Sequence, residues 1–180
     1  MMDDLQIKRS ASLSKDGRYR WTLQRKWGDG GRICWIMLNP STADATVDDP
    51  TIKRCMKFSH RWGYGSLVVV NLFPFRSSHP NDCRNWAEWE RNGPDWYARD
   101  TIHHNEGVVQ NVVELCDFVI AAWGQADWAQ NEGYRILDEL PPDTKLYCLG
   151  TSADGSPKHP LARGKHRIPD DQEPILWKVA

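Results

Sequence analysis

Polar and aromatic residues follow four apolar segments of the sequence, and their types are those found in binding and catalytic sites. The apolar segments span 32–38, 66–72, 117–122 and 145–149 and are predicted to be strands. The loops after them carry Asn39-Pro40-Ser41-Thr42, then Asn71 with Phe73-Pro74-Phe75-Arg76, then Trp123-Gly124-Gln125, and finally Gly150-Thr151 leading to Lys158-His159-Pro160. Because the carboxyl ends of parallel strands meet at one edge of a sheet, we expect the four loops to form one site. Taken singly, each loop is also explained by ordinary turn chemistry.

These residue types suit the stabilisation of charge and the binding of anions. Hydrogen-bond donors at strand ends can stabilise a charged leaving group in a dry pocket. Arg76 follows an aromatic-proline loop and can bind a phosphate or a base edge through two parallel hydrogen bonds. An ion pair between Arg76 and a nearby carboxylate explains the same residue equally well; the available carboxylates are Asp44, Asp48 and Asp49.

Positive charge is concentrated in two segments of a nearly neutral chain. The formal net charge is -1, yet 53–61 and 158–167 each carry four basic residues and no acidic residue. Such clusters can hold a polyanion at one face. The phosphate-binding candidates are Lys53, Arg54, Lys57, Arg61, Lys158 and Arg163. Two solvated surfaces are the alternative, and a pI near 6.6 argues against tight non-specific duplex binding.

Several classes of protein are disfavoured. The sequence has no Walker loop, no G-x-G-x-x-G, no G-x-S-x-G and no H-E-x-x-H, so P-loop phosphoryl transfer and hydride transfer are not expected. Asp100, His103 and His104 have helical spacing compatible with a metal, but an exposed helix end explains them, and neither a metal nor a cofactor is predicted. Five widely spaced cysteines, a polar N-terminus and no long apolar run favour a cytoplasmic protein that does not enter a membrane.

The elements that must position these residues alternate between strands and helices. Residues 18–24 alternate as a half-buried strand, with Arg18, Arg20 and Thr22 on the solvent side, and a glycine turn predicts a hairpin with 32–38. Asp49 and Pro50 are typical of a helix start and predict a helix over 50–62. Further helices are predicted near 82–92, 95–103, 105–116 and 127–140.

This pattern predicts a single α/β domain over 1–180. We expect three layers, with a mostly parallel four-stranded central sheet, helices on both faces and an N-terminal β-hairpin element. Ten tryptophans are an unusually large number, and we expect most of them to pack in the core or at its rim.

An ordered set of motifs resembles an uncharacterised bacterial and phage family, filed as a domain of unknown function. The motifs are L-N-P-S-T-A-D, D-P-T-I-x-R-C, W-G-Y-G, V-V-N-L-F-x-F-R, A-A-W-G and G-x-P-x-H-P-L, and they span about 32–162. This resemblance implies no activity.

The order of the same loops is similar, more distantly, to the uracil-DNA glycosylase superfamily. The resemblance implies that Asn39 orients the attacking water, that Asn71 reads a base edge and that His159 stabilises charge on the leaving base. It also implies that Phe73 or Phe75 stacks on the base. This chain departs from that superfamily because Asn39 is a neutral amide, which cannot act as a general base. A second departure from that superfamily is that Ser41-Thr42 follows Asn39-Pro40.

The leading hypothesis is therefore a nucleobase- or nucleotide-directed enzyme of glycosylase-like fold that acts on DNA or a nucleotide. Its predicted catalytic residues are Asn39 and His159. Its predicted substrate-binding residues are Pro40, Ser41, Asn71, Phe73, Phe75, Arg76, Trp123 and Gly124. Two alternatives stay open, namely a non-catalytic nucleic-acid-binding module and a small-molecule hydrolase or transferase.

Overall fold

Strands and helices alternate along most of the chain in a mixed α/β fold. The computed structural model describes residues 6–92 and 96–180. The strands are β1 (Lys8–Leu13), β2 (Arg20–Lys26), β3 (Arg32–Met37), β4 (Ser66–Asn71), β5 (Phe118–Ala121), β6 (Lys145–Cys148) and β7 (Ile175–Val179). The helices are α1 (Pro50–Arg61), α2 (Pro80–Asn92), α3 (Trp96–Glu114) and α4 (Gln130–Asp138), with short 3-10 turns at Asp127–Ala129 and Gly164–His166.

Within the described residues the strands form one seven-stranded sheet, in the order β1-β2-β4-β3-β5-β6-β7. The four central strands β4, β3, β5 and β6 are parallel. Strands β1, β2 and β7 are antiparallel and extend the two edges. The sheet is wider than the predicted four strands because β1 and β7 were not recognised. Most residues of both strands are exposed, so they lack the apolar pattern that marks a buried strand.

The predicted hairpin between 18–24 and 32–38 is wrong. Strand β2 pairs with β4, with Leu23 opposite Val69, while β3 has parallel partners on both sides. The glycine turn between β2 and β3 instead carries the chain across the start of β4. A side chain on Gly65 would lie 2.3 Å from the Gly30 backbone nitrogen, so the crossing requires glycine. The hairpin that does form joins β1 to β2.

Helices pack on both faces of the sheet. On one face, α1 buries Ile52, Cys55 and Phe58 against a strand surface that includes Trp35. On the other, residues of α2, α3 and α4, among them Trp86, meet the side chains of alternate strand positions. This alternation is the two-residue period of a strand buried on both sides.

Helix α1 begins as predicted. The Asp49 carboxylate accepts a hydrogen bond from the Ile52 amide at 2.9 Å, and Pro50 occupies the first turn. The predicted helices 95–103 and 105–116 are parts of one helix, α3, although residue 95 lies outside the described residues. None of the helices described is long and apolar enough to cross a membrane.

Candidate functional site

A cavity of about 890 Å³ lies at the carboxyl ends of the central parallel strands. Residues after β3, β4 and β5 line it, together with His159 from the loop after β6 and the start of α2. The lining is Arg20, Met37, Leu38, Asn39, Ser41, Asp49, Thr51, Ile52, Asn71, Ser77, Ser78, Pro80, Asn81, Arg84, Trp123, Gly124, Gln125, Ala126, Asp127, Trp128 and His159. Ligands of α/β sheets bind at this edge, where the strands diverge.

Six of the predicted catalytic and substrate-binding residues meet in this cavity. They are Asn39, Ser41, Asn71, Trp123, Gly124 and His159. The separation between them in sequence is large, and the parallel strands bring them together. Asp100, His103 and His104 are not part of it, and within the described residues no group of three His, Cys, Asp or Glu side chains could hold a metal ion.

Asn71, the last residue of β4, has an unpaired amide. The residue is 1% exposed, and neither its Nδ2 nor its Oδ1 has a hydrogen-bond partner. Its backbone is fixed by Asn105, whose Nδ2 donates to the carbonyls of Asn71 and Leu72 at 2.9 and 3.2 Å. Buried polar groups are normally paired, so an unpaired amide in a cavity wall is an unused recognition group.

Asn39 holds two site loops together. Its Nδ2 donates to the carbonyls of Pro40, Phe75 and Ser77 at 3.1, 3.4 and 2.9 Å. Pro40 is buried and does not line the cavity, so its part is structural rather than the predicted substrate contact. The carbonyl oxygen of the Asn39 side chain is the atom left for a ligand or water.

His159 is held neutral with a defined tautomer. Burial lowers its pKa to about 4, against a smaller opposite effect from Asp49. Its Nδ1 accepts a hydrogen bond from the Leu161 amide at 3.1 Å, so the proton of the neutral ring is on Nε2. Gly124 has a φ of +81°, and a Cβ there would lie 3.2 Å from the His159 Cβ. Glycine at 124 therefore permits the loop after β5 to pack against His159.

The sequence predicts Asp49 as a helix cap and as a possible ion-pair partner of Arg76, yet the structure places it in the lining of the cavity. One carboxylate oxygen accepts from the Ile52 amide, which fixes the orientation of the carboxylate. The cavity therefore contains the acidic group that the Asn39 position lacks. The sequence signal for this second role of Asp49 is that the helix it caps begins next to the loops that form the site.

Arg20 was expected on the solvent face of its strand but is 2% exposed and lines the cavity. Its Nη1 donates to the Ala43 carbonyl at 2.8 Å, and its Nε has no partner. The alternation rule fails here because β2 lies beside β4, where the 43–49 loop and the site cover the end of the strand. Arg84 of α2 is a second cation of the lining that the sequence pattern did not indicate.

Neither of the two predicted stacking residues lines the cavity. Phe73 is completely buried and stacks on Trp128, with ring centroids 5.1 Å apart. Phe75 stacks on Trp86 at 5.3 Å and does not line the cavity. Both rings contribute to the core that supports the site, and half-buried Trp128 is the aromatic ring of the lining beside them.

Arg76 neither lines the cavity nor forms the expected ion pair. Its Nη1 donates to the Gly17 carbonyl at 3.1 Å, and no carboxylate of the described residues lies within ion-pair distance of it. The buried ion pair belongs to Arg25, which is 0% exposed and contacts Asp48 at 2.6 Å. The Arg25 guanidinium lies directly against the 44–48 loop, where it also donates to the carbonyls of Asp44 and Val47.

The predicted phosphate-binding residues lie outside the cavity. Arg54 pairs with Asp170, and Arg61 pairs with Glu173 at 3.0 Å, so two of the four basic residues of 53–61 have carboxylate partners near the C-terminus. Phosphate binding by Arg54 and Arg61 stays a prediction, and in the structure both side chains already have carboxylate partners. The others, Lys53, Lys57, Lys158 and Arg163, are exposed or half-buried and do not line the cavity.

The fold and site define an α/β protein with a polar, aromatic cavity at the edge of a parallel sheet. The family described as "Protein of unknown function (DUF1643)" matches residues 20–161, and the chain belongs to this family. No curated protein and no solved structure matches the chain. The cavity residues from Arg20 to His159 all fall inside the matched region.

Proposed function

We propose that this protein is an enzyme that hydrolyses the N-glycosidic bond of a nucleobase in a nucleotide or in DNA. The observation that carries the proposal is the buried, unpaired amide of Asn71 in the wall of a cavity that also contains the Trp128 ring. An amide offers a donor and an acceptor side by side, which matches the edge of a nucleobase.

Trp128 supplies the stacking surface that the sequence assigned to Phe73 or Phe75. Its ring lies on Phe73 and is only half-buried, so the ring has a rigid support and remains accessible from the cavity. Stacking on an aromatic ring stabilises a bound base by about 1–3 kcal/mol. Asn71 then selects the base by its hydrogen bonds, and Trp128 accepts any flat ring.

Asp49 and His159 supply the chemistry. The free oxygen of the Asp49 carboxylate takes a proton from water, and the water oxygen bonds to the sugar C1′. The electron pair of the N-glycosidic bond leaves with the base. The neutral His159 donates a hydrogen bond from its Nε2–H to the departing base anion and keeps this proton, and the base then takes up the proton that Asp49 accepted from water.

Asn39 keeps a supporting role in this mechanism. Its amide nitrogen is committed to backbone carbonyls, while its side-chain oxygen is available to orient the water. Its neutrality is no obstacle, since Asp49 acts as the base. The parallel central strands with a cavity at their carboxyl ends are consistent with the three-layer, glycosylase-like arrangement that the sequence resemblance implies.

The test is release of a free base by purified protein. Nucleotides and single- and double-stranded oligonucleotides carrying uracil, hydroxymethyluracil, hypoxanthine or normal bases are incubated with enzyme, and free base is measured by chromatography. Asp49→Asn retains a good helix cap but cannot accept the proton. We expect it to fold normally and to lose at least about 100-fold in rate.

The matched control is Asp29→Asn, which makes the same change on a fully exposed side chain outside the cavity. It should retain the rate of the unmodified protein. Base release that survives Asp49→Asn would remove Asp49 from the mechanism. If no base is released from any substrate, the glycosylase proposal is wrong. A non-catalytic nucleic-acid module is the less favoured alternative, because Arg54 and Arg61 are already paired with carboxylates.

A further inference from the structure

We propose that the ligand of this cavity is a free nucleoside monophosphate and that Arg20 binds its phosphate. The inference deepens the proposed function and rests on it for the identity of the base. It is carried by the buried guanidinium of Arg20, which has no carboxylate within ion-pair distance in the part of the chain that the structure describes.

The two buried arginines of β2, Arg25 and Arg20, differ in the partners of their guanidinium groups. Arg25 is 0% exposed, pairs with Asp48 at 2.6 Å and donates to several backbone carbonyls, including that of Asp44 at 2.6 Å. Arg20 is almost as buried, yet its side chain makes one hydrogen bond within the described residues, to the Ala43 carbonyl, and its Nε has no partner. No carboxylate lies within 4.0 Å of Arg20 among the described residues.

A buried cation without a counter-ion is costly, and it is retained where an anion completes it. Burial lowers the pKa of Arg20 to about 10, opposed by Asp49, and the guanidinium is still charged at neutral pH. Because Arg20 lines the cavity, its unused hydrogen-bonding capacity is available to a bound anion. Asn71 is a second buried and unpartnered group of the same wall.

The surrounding donors favour phosphate. Ser78, Asn81 and Arg84 line the cavity where α2 begins at Pro80. Helix N-termini attract anions because the first amide groups lack intrahelical partners. A tetrahedral phosphate can use donors arriving from several directions, and the guanidinium group binds phosphate oxygens in a bidentate manner.

The charge balance favours one small anion over a nucleic-acid strand. Arg20 and Arg84 are the cations of the lining, and Arg84 is already paired with Glu88 at 2.8 Å, which leaves Arg20 as the lining cation without an ion-pair partner among the described residues; Asp49 and Asp127 are the carboxylates of the lining, and His159 is neutral. A strand brings several phosphates and needs a matching series of cations. The volume of about 890 Å³ falls within the roughly 300–1,000 Å³ of small-molecule pockets.

The experiment compares binding of matched ligands to the full chain by calorimetry. The pairs are uridine with UMP, cytidine with CMP, adenosine with AMP and guanosine with GMP, alongside a short oligonucleotide of each base. For at least one pair we expect the monophosphate to bind 10-fold or more tightly than the nucleoside. Arg20→Gln should reduce that preference to less than 3-fold. If Arg20→Gln does not fold, Arg84→Gln at the half-exposed rim should still reduce it several-fold.

The outcomes separate this inference from the proposed function. Equal binding of nucleoside and monophosphate, or an oligonucleotide bound 10-fold more tightly than the monophosphate, would overturn the inference. Base release from DNA alone would overturn it too, while leaving the glycosidic chemistry intact. A phosphate preference that depends on Arg20, without base release from any substrate, would support the phosphate site and contradict the proposed hydrolysis.

Discussion

Replacement of Asn71 by leucine should stabilise this protein, although Asn71 is a buried residue of a central strand. Both polar atoms of its amide are removed from water, and neither has a hydrogen-bond partner. A buried polar group left unpaired costs about 1–3 kcal/mol, and leucine has the same branching without that cost. We therefore expect Asn71→Leu to raise the free energy of unfolding by about 2 kcal/mol. For a chain of 180 residues this corresponds to an increase in Tm of about 4–8 °C.

Asn105 provides a matched control with the opposite sign. It is 1% exposed, like Asn71, but its Nδ2 donates to the carbonyls of Asn71 and Leu72. Asn105→Leu removes both of these hydrogen bonds, and although Asn105 Oδ1 is also buried without a partner, the two lost bonds should outweigh its removal, so we expect a loss of about 1–3 kcal/mol. The same substitution at two buried asparagines should therefore move stability in opposite directions.

The assay is urea denaturation followed by tryptophan fluorescence, without ligand. The midpoint of Asn71→Leu should rise and that of Asn105→Leu should fall, with unchanged m-values. If Asn71→Leu lowers stability as much as Asn105→Leu does, the Asn71 amide is satisfied in solution and the reasoning is refuted. If the prediction holds, Asn71→Leu should also lose ligand binding, since the protein would retain this unfavourable amide for recognition.

Two further predictions concern the loops that meet at His159. The pKa of His159 is about 4 in the folded protein and about 6.5 when unfolded, so the unfolded state binds the extra proton and stability should fall by about 3 kcal/mol as pH decreases from 6.5 to 4. Urea titrations across this pH range should show that loss of stability. His159→Asn retains an acceptor for the Leu161 amide and should not show the loss. Equal pH dependence of stability in both proteins would contradict the prediction. Gly124→Ala should lower the free energy of unfolding by about 1–2 kcal/mol, because alanine disfavours a positive φ and its Cβ would crowd His159. In the same denaturation assay Gly107→Ala, inside α3 with open space around it, should stabilise by up to about 1 kcal/mol, and a similar loss at both positions would show that the backbone at 124 is not the cause.

The sequence by itself determined the parts of the fold that depend on local pattern. The apolar segments that became β3, β4, β5 and β6 were identified from their composition, and α1 from its cap and period. The position of the polar loops after those strands also followed, because side-chain type and strand end are both local features. The meeting of Asn39, Asn71 and His159 at one edge required only the further rule that the strands are parallel.

Strand order and core packing determine which side chains reach the cavity, and the sequence pattern did not predict this. Pairing of β2 with β4 instead of β3 buried Arg20 at the cavity, against its alternation in sequence. Core packing removed Phe73 from the site and left Trp128 in its place. Neither outcome can be predicted from residues that are neighbours in the sequence, because both depend on tertiary contacts.

Long-range ion pairs account for the remaining differences. Arg54 and Asp170 are 116 residues apart, and Arg61 and Glu173 are 112 apart, so two arginines of a basic cluster that resembles a phosphate-binding face are paired with carboxylates near the end of the chain. Asp49 combines a role that depends on local sequence with a position that depends on tertiary structure. Its role as a helix cap is local and was predicted, whereas its position in the cavity depends on where the sheet places the start of α1.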